Sequence, residues 1–248
     1  MAQCKTSPEV GGMGHSVKRK EDPRFIRGQG NYVDDIVRPG MVFMDIVRSP
    51  YAHAKIKSIN TEKALAHPGV AAVITGETLK EYNLHMMPTL MSDTQMVLPI
   101  EKVCYQAQEV AAVIATDRYS AADGVELVEV EYEPLPVVVD PHKATDPDAP
   151  IIRDDKEGQD SNHIFHWEAG DKSGTDEIFK NADVTVKENI YLPRIHVASI
   201  ETCGCVSEFD SVSGQLTVWM TTQAPHAIRT VLALVAGHVG LREDKIRV

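Results

Sequence analysis

From Gln215 to Gly237 the chain reads QLTVWMTTQAPHAIRTVLALVAG, and few local structures satisfy that order of residues. Leu216, Val218 and Met220 alternate with Thr217, Trp219 and Thr221, the period of a half-buried strand. Pro225 stands where a first helical turn needs no backbone donor. Ile228, Val231, Leu232 and Val235 follow at helical spacing, with Gly237 as the stop. The segment therefore predicts a strand, a very short turn and a helix, with Thr221-Thr222-Gln223-Ala224 at the junction. A helix N-terminus offers unpaired N–H groups and the positive end of a dipole, so such a junction suits an oxo group, a phosphate or a carboxylate. Spacing alone favours a βα unit whose turn only turns.

The rest of the chain alternates short strands and helices up to about Thr145. Strands are expected at Asn31–Val33, Met41–Val47, Lys55–Ile59, Val70–Ile74 (buried), Glu109–Ala115 and Val128–Glu133, and helices at Thr61–Ala66, from Thr75 to near Asn83, and at Asp117–Leu127 with Thr116 or Asp117 as cap. Residues 146–162 are rich in Pro, Asp, Gly and Lys without a period, which marks a linker and the expected place of first proteolytic attack. Beyond it the pattern is strand-rich: Ile164–Glu168, Val184–Tyr191 and Cys203–Phe209, with a helix near Thr175–Lys180 and a hairpin signal at Ser213-Gly214. The fold class is α+β: a flexible leader (1–19), a first domain (20–145), the linker and a second domain (163–248).

A length of 248 residues, 43% hydrophobic, is ample for two cores. The net charge of -11 argues against a nucleic-acid surface, no run is long and apolar enough for a membrane span, and no secretory signal opens the chain. Cys4, Cys104, Cys203 and Cys205 have no disulfide-framework spacing, which points to a reducing cytoplasm.

Most chemistry-bearing clusters have a plain structural reading. Cys203-Gly204-Cys205 lacks the further ligands of a zinc or iron–sulfur site, and these cysteines are expected to be small buried packing residues. Met86, Met87, Met91 and Met96 are expected to pack against a neighbour rather than bind a soft metal. Glu129, Glu131 and Glu133 form an acidic strand face expected to be solvated, and Lys18-Arg19-Lys20 a solvated basic cluster. Glu201 has no His or Lys at catalytic spacing, and His196 and His226 read as hydrogen-bonded structural histidines. No residue is assigned as catalytic or as a metal ligand.

Thr222-Gln223-Ala224-Pro225-His226, about twenty residues after Glu201-Thr202-Cys203, resembles the large subunit of the molybdenum hydroxylases, the xanthine oxidase family. The resemblance extends from about Gly12 to Val248 and includes Gly28-Gln29-Gly30-Asn31-Tyr32-Val33-Asp34-Asp35-Ile36, Arg48-Ser49-Pro50-Tyr51-Ala52-His53-Ala54 and Val130-Glu131-Tyr132-Glu133-Pro134-Leu135-Pro136. It implies an α/β-hammerhead domain followed by the incomplete start of a molybdopterin-binding domain, and a recurrent Glu-Thr pair at Glu201-Thr202 with a structural role. It further implies a molybdenum–molybdopterin cytosine dinucleotide cofactor, copper beside molybdenum in one branch, and partner subunits carrying FAD (medium) and a 2Fe-2S centre (small), assembled as a dimer of heterotrimers. A cytoplasmic place, extending to the inner face of the cytoplasmic membrane through the assembly, is also implied. The family sets a glutamine of the Thr-Gln turn beside an oxo ligand of molybdenum, and Gln223 matches it; a neutral amide donates there without titrating. The family's Gly-Gly-Gly-Phe-Gly loop, its substrate loop and its distant glutamate base do not occur, so the resemblance implies the front third of a large subunit, inactive alone. Substrates admitted by this scaffold include aldehydes and N-heterocycles, and the non-enzyme alternative is a subunit-docking piece.

Overall fold

The structure, a computed structural model, describes residue 13 and residues 18–89, 93–154 and 160–248. In chain order its elements are α1 (Asp22–Phe25), β1 (Phe43–Arg48), β2 (Ala54–Asn60), α2 (Glu62–Leu65), β3 (Val70–Thr75), α3 (Gly76–Glu81), β4 (Met86–Pro88), β5 (Thr94–Met96), β6 (Lys102–Val103), β7 (Glu109–Ala115), α4 (Arg118–Leu127) and β8 (Glu129–Pro134). After residues 146–162 follow α5 (Lys172–Asn181), β9 (Cys205–Asp210), β10 (Gln215–Met220), α6 (Pro225–Ala236) and β11 (Ile246–Arg247).

The first unit is organised by β7, whose central apolar run Val110–Val113 is buried on both faces. It lies between β1 and β3 and pairs antiparallel with each. A second three-stranded sheet, β6-β2-β8, is also antiparallel. One face of β7 sends Ala111 and Val113 into a cluster with Val47, Ala64 and Val128. Val110, from the opposite face, joins Ala54 and Val103, and the half-buried Ile59 and Val130 touch both clusters. Helix α4 starts where Asp117 accepts hydrogen bonds from the backbone N–H groups of Tyr119 and Ser120, both at 2.9 Å. It lies close on the sheet because position 124 is glycine: a Cβ there would sit 2.7 Å from Val113 Cγ1 and 2.8 Å from Val70 Cγ2.

Several expectations change in detail. Residues Asn31–Val33 form no strand; a single 3₁₀ turn occupies Val33–Asp35, because the Asp35 carboxylate turns back to accept the Tyr32 N–H at 2.8 Å. Strand β3 is half-buried rather than buried, since it forms an edge of its sheet. The acidic face of β8 is not merely solvated: Glu133 pairs with Lys55 and Lys57, and Glu129 with Lys63. The methionines of the β4–β5 hairpin pack as expected, Met86 opposite Met96 with α6 against β4; Met91 and most of the leader lie outside the described residues, and Lys18, Arg19 and Lys20 are exposed.

The linker composition hides a fastened segment. Asn162 accepts the Ile152 N–H at 2.8 Å and donates to the Ala144 and Pro150 carbonyls at 2.9 Å. Arg153 pairs with Asp93 and donates to the Thr94 carbonyl at 2.6 Å. In contrast, Ile164–Glu168 and Val184–Tyr191 form no strands, because no neighbouring strand receives their backbone groups. Their apolar side chains stay in solvent, with Val184 80% and Ile190 81% exposed. The second unit's order resides in the β11-β10-β9 sheet, in which β9 and β10 are antiparallel and β10 and β11 parallel across α6. Among the described residues no helix is long and apolar enough to cross a membrane.

Gly124→Ala is expected to lower the stability of the first unit by ~1–2 kcal/mol, because overpacking against two β-branched side chains outweighs the helical gain of alanine; a fall in the urea midpoint at constant m-value checks this. Limited trypsin digestion is expected to nick first at Lys180, Lys187 or Arg194 rather than within the fastened residues 146–154. Mass mapping of the first fragments decides, and early cleavage at Arg153 contradicts it.

Candidate functional site

The junction between β10 and α6 is built as its sequence demands. Alternation carries Val218 inward, where it is 9% exposed, and α6 begins with Pro225 at its first position and turns Ile228, Val231, Leu232 and Val235 to its half-buried side. The left-handed stop is not at Gly237, which has φ −61°, but at Gly240, with φ +98°. The helix passes into a short 3₁₀ turn that ends three residues later than expected, since nothing forces Gly237 out of helical geometry.

The turn itself is held from three directions. Thr221 donates its N–H to the Gly204 carbonyl at 3.2 Å and its hydroxyl to the Thr202 carbonyl at 3.4 Å. The Thr222 hydroxyl accepts the Ala224 N–H at 3.0 Å. At the helix flank, Glu243 accepts hydrogen bonds from Thr230 (2.9 Å) and Arg229 (3.3 Å). Gln223 is exposed at the apex, and its amide has no hydrogen-bond partner among the described residues. No side chain caps the N-terminus of α6. A neutral amide donor beside free helix N–H groups fits a polar, negatively charged group. Among the described residues no cluster of three or more His, Cys, Asp or Glu could hold a metal ion.

The remaining singled-out residues divide. Cys203 and Cys205 are exposed rather than buried, because Val206 takes the inward position of β9 and leaves Cys205 on the opposite face. His196 and His226 are exposed and their rings have no hydrogen-bond partner among the described residues, which corrects the structural reading of both. Glu201 is half-buried and accepts the Val33 N–H at 3.1 Å. Arg38 was not legible as a site residue. Its guanidinium makes a two-pronged contact with Glu208, 2.7 Å to each oxygen from Nη2 and 3.1 Å from Nε, and lies 5.6 Å over the Trp219 ring. The basic residue within the Gly28–Ile36 run's immediate continuation was the available signal, but its carboxylate partner Glu208 lies 170 residues away.

The two-sheet α+β unit and the strand–turn–helix that follows it each fall within a known sequence family. A sequence profile described as "Aldehyde oxidase and xanthine dehydrogenase, a/b hammerhead domain" matches residues 27–136, and one described as "Molybdopterin cofactor-binding domain" matches residues 155–248. The chain belongs to the molybdenum hydroxylase (xanthine oxidase) family, with a hammerhead domain leading into the molybdopterin-binding domain. It is 54% identical to the carbon monoxide dehydrogenase large chain of Hydrogenophaga pseudoflava and 55% identical to that of Afipia carboxidovorans, in each case over 96% of this chain and 30% of the relative. The crystal structure of a Cu,Mo-CO dehydrogenase in its carbon monoxide reduced state superposes with a TM-score of 0.83 at 55% identity, covering 95% of this chain and 30% of that one. The chain thus spans about a third of the length of the relatives it matches.

The hairpin that brings β9 to β10 carries its own acid sensitivity. The Ser213 hydroxyl and the Val212 N–H, at 2.6 and 2.9 Å, donate to the Asp210 carboxylate and hold its pKa below the ordinary aspartate value. A depressed folded pKa stabilises above the unfolded value, near 3.9, and the contribution is lost as pH falls through the folded pKa. Carboxyl-carbon NMR of Asp210 is expected to titrate below that reference, with the Val212 amide losing exchange protection over the same window; Asp210→Ala is expected to abolish the window.

Proposed function

We propose that this chain is the N-terminal part of the large, catalytic subunit of a molybdenum-containing carbon monoxide dehydrogenase. The observation that carries the reading is the identity of 54–55% to two such large chains across nearly the whole length, with the Thr-Gln turn formed between strand and helix. The reaction is CO + H2O → CO2 + 2 H⁺ + 2 e⁻, with the electrons leaving through 2Fe-2S and FAD subunits in a dimer of heterotrimers. The site is shared between this chain and later segments of the subunit, which supply the substrate loop with copper and the base, so the 248 residues alone neither retain molybdenum nor turn over CO. The unit boundary is placed at residues 146–162, with the hammerhead domain at 20–145 and the cofactor domain from 163.

When bound, the molybdenum–molybdopterin cytosine dinucleotide supplies the two-electron redox centre. Gln223 is the residue of this chain that meets it. Its backbone is fixed by Thr221 and Thr222 on one side and by the Pro225 helix on the other, so its amide N–H is presented to a negatively charged acceptor at a set position. A preorganised neutral donor stabilises developing negative charge without reorganising and without a pH-dependent charge of its own. The uncapped N–H groups of α6 add the same sign of potential.

In the assembled enzyme, Gln223→Ala is expected to slow CO-dependent dye reduction by on the order of 10²-fold, the scale for losing one such donor, with folding nearly unchanged. Gln223→Glu is expected to do at least as much harm, since a carboxylate would face the acceptor with like charge. Both are compared at equal molybdenum content. Full metal with near wild-type turnover in both variants removes Gln223 from the site, and turnover of aldehydes or heterocycles without CO oxidation in the unmutated enzyme removes the substrate assignment.

A further inference from the structure

The Glu201 carboxylate is bonded to a strap formed by residues 32–38. There it accepts the Val33 N–H at 3.1 Å, the first N–H of the Val33–Asp35 turn and a donor the turn cannot satisfy itself. The three residues that follow Glu201 return to the candidate site: the Thr202 carbonyl accepts the Thr221 hydroxyl at 3.4 Å, and the Gly204 carbonyl accepts the Thr221 N–H at 3.2 Å. The loop also passes near the strap: a Cβ added at position 204 would come within ordinary van der Waals range of Val33 Cγ1, at 3.9 Å.

The strap is anchored on both of its sides. Toward the first unit, Asp34 pairs with Arg118 at 3.2 Å, and Arg118 lies 5.6 Å over the Phe43 ring. Toward the second, Arg38 forks onto Glu208 of β9 and covers Trp219 of β10. A connected run of contacts therefore joins Val33, Glu201, Thr202, Gly204 and Thr221, and ends one residue short of Thr222-Gln223.

We propose that Glu201 is a positioning residue for Gln223, fixing the Thr221–Gln223 turn by tying the 201–204 loop to the Val33 N–H of the strap. The proposal rests on the reading of Gln223 as the cofactor's donor. Glu201 on this account is not a general base: one carboxylate oxygen is engaged by a backbone donor, and its effect on the reaction passes through backbone carbonyls rather than through a proton. Glutamine at 201 keeps an oxygen for the Val33 N–H, whereas alanine does not. Val33→Pro deletes the donor from the other end, at a position where the preceding Tyr32 is already extended (ψ 167°), as a residue before proline requires.

Two readouts test the idea. In this 248-residue chain, amide exchange at Thr221 is expected to quicken by about 10-fold in Glu201→Ala and Val33→Pro and to return toward wild type in Glu201→Gln. In the assembled enzyme at equal molybdenum, Glu201→Ala is expected to lower kcat by roughly 10-fold with KM unchanged, and to add nothing in a Gln223→Ala background, as for two groups acting in one path. Unchanged Thr221 exchange in both Glu201→Ala and Val33→Pro overturns the proposal. So does a Glu201→Ala loss that persists in full without Gln223, which would make Glu201 act on the reaction by itself. Wild-type turnover in Gln223→Ala alone overturns the donor reading instead, and Thr221 exchange then decides by itself whether Glu201 fixes the turn.

Discussion

The burial of β7 on both faces is the constraint from which the first unit follows. A strand with Val110, Ala111 and Val113 fully enclosed needs neighbours along both edges and a layer over each face. Its edges are met by β1 and β3. One face is met by α2 and α4, and the other by the β6-β2-β8 sheet. Helix α4 packs so closely on this strand and its neighbour that Val113 and Val70 leave no room for a side chain at Gly124.

The second unit has no such strand, and its order is uneven. The β9–β10 hairpin and α6 form a small βα layer with Val206, Val218 and Ile246 inward. Upstream of it, a long stretch holds Val184, Val186, Ile190, Leu192 and Ile195 in solvent. Apolar residues alternate there in part, with Glu188 interrupting the series, yet no sheet forms, since a strand is a relation between two segments and not a property of one. Besides its own hydrogen bonds, the junction's surroundings are held by the strap reaching across from the first unit, through Glu201, Glu208 and Trp219.

Legibility from sequence tracked the range of the interaction. β7, α4 with its Asp117 cap, and the β10–α6 junction were readable because period and capping are local. The short strand at Asn31–Val33 was misread because Asp35 decides that segment by a contact three residues back. Both cysteines of the Cys203–Cys205 pair are exposed where residue type suggested burial, Cys205 because strand phase, set by Val206, turns it outward and Cys203 because it precedes the strand. The tether from Val33 to Glu201 spans 168 residues and Arg38 to Glu208 spans 170, and no periodicity encodes such pairings. Gln223 could be singled out only by the family resemblance, since the turn's spacing does not distinguish a donor from a bystander.

The Asn162 clip changes how the two units are joined in polymer terms. A free connection of this length would let the second unit sample a broad volume, and its local concentration at the first unit's surface would be diluted accordingly. Asn162 instead collects Ile152, Ala144 and Pro150 into one node, with Arg153 staked beside Thr94. The freely jointed length is thereby reckoned from residue 163 rather than from residue 146. The strap contacts then close a shorter loop, at a smaller entropic cost than the composition of the connecting segment suggests.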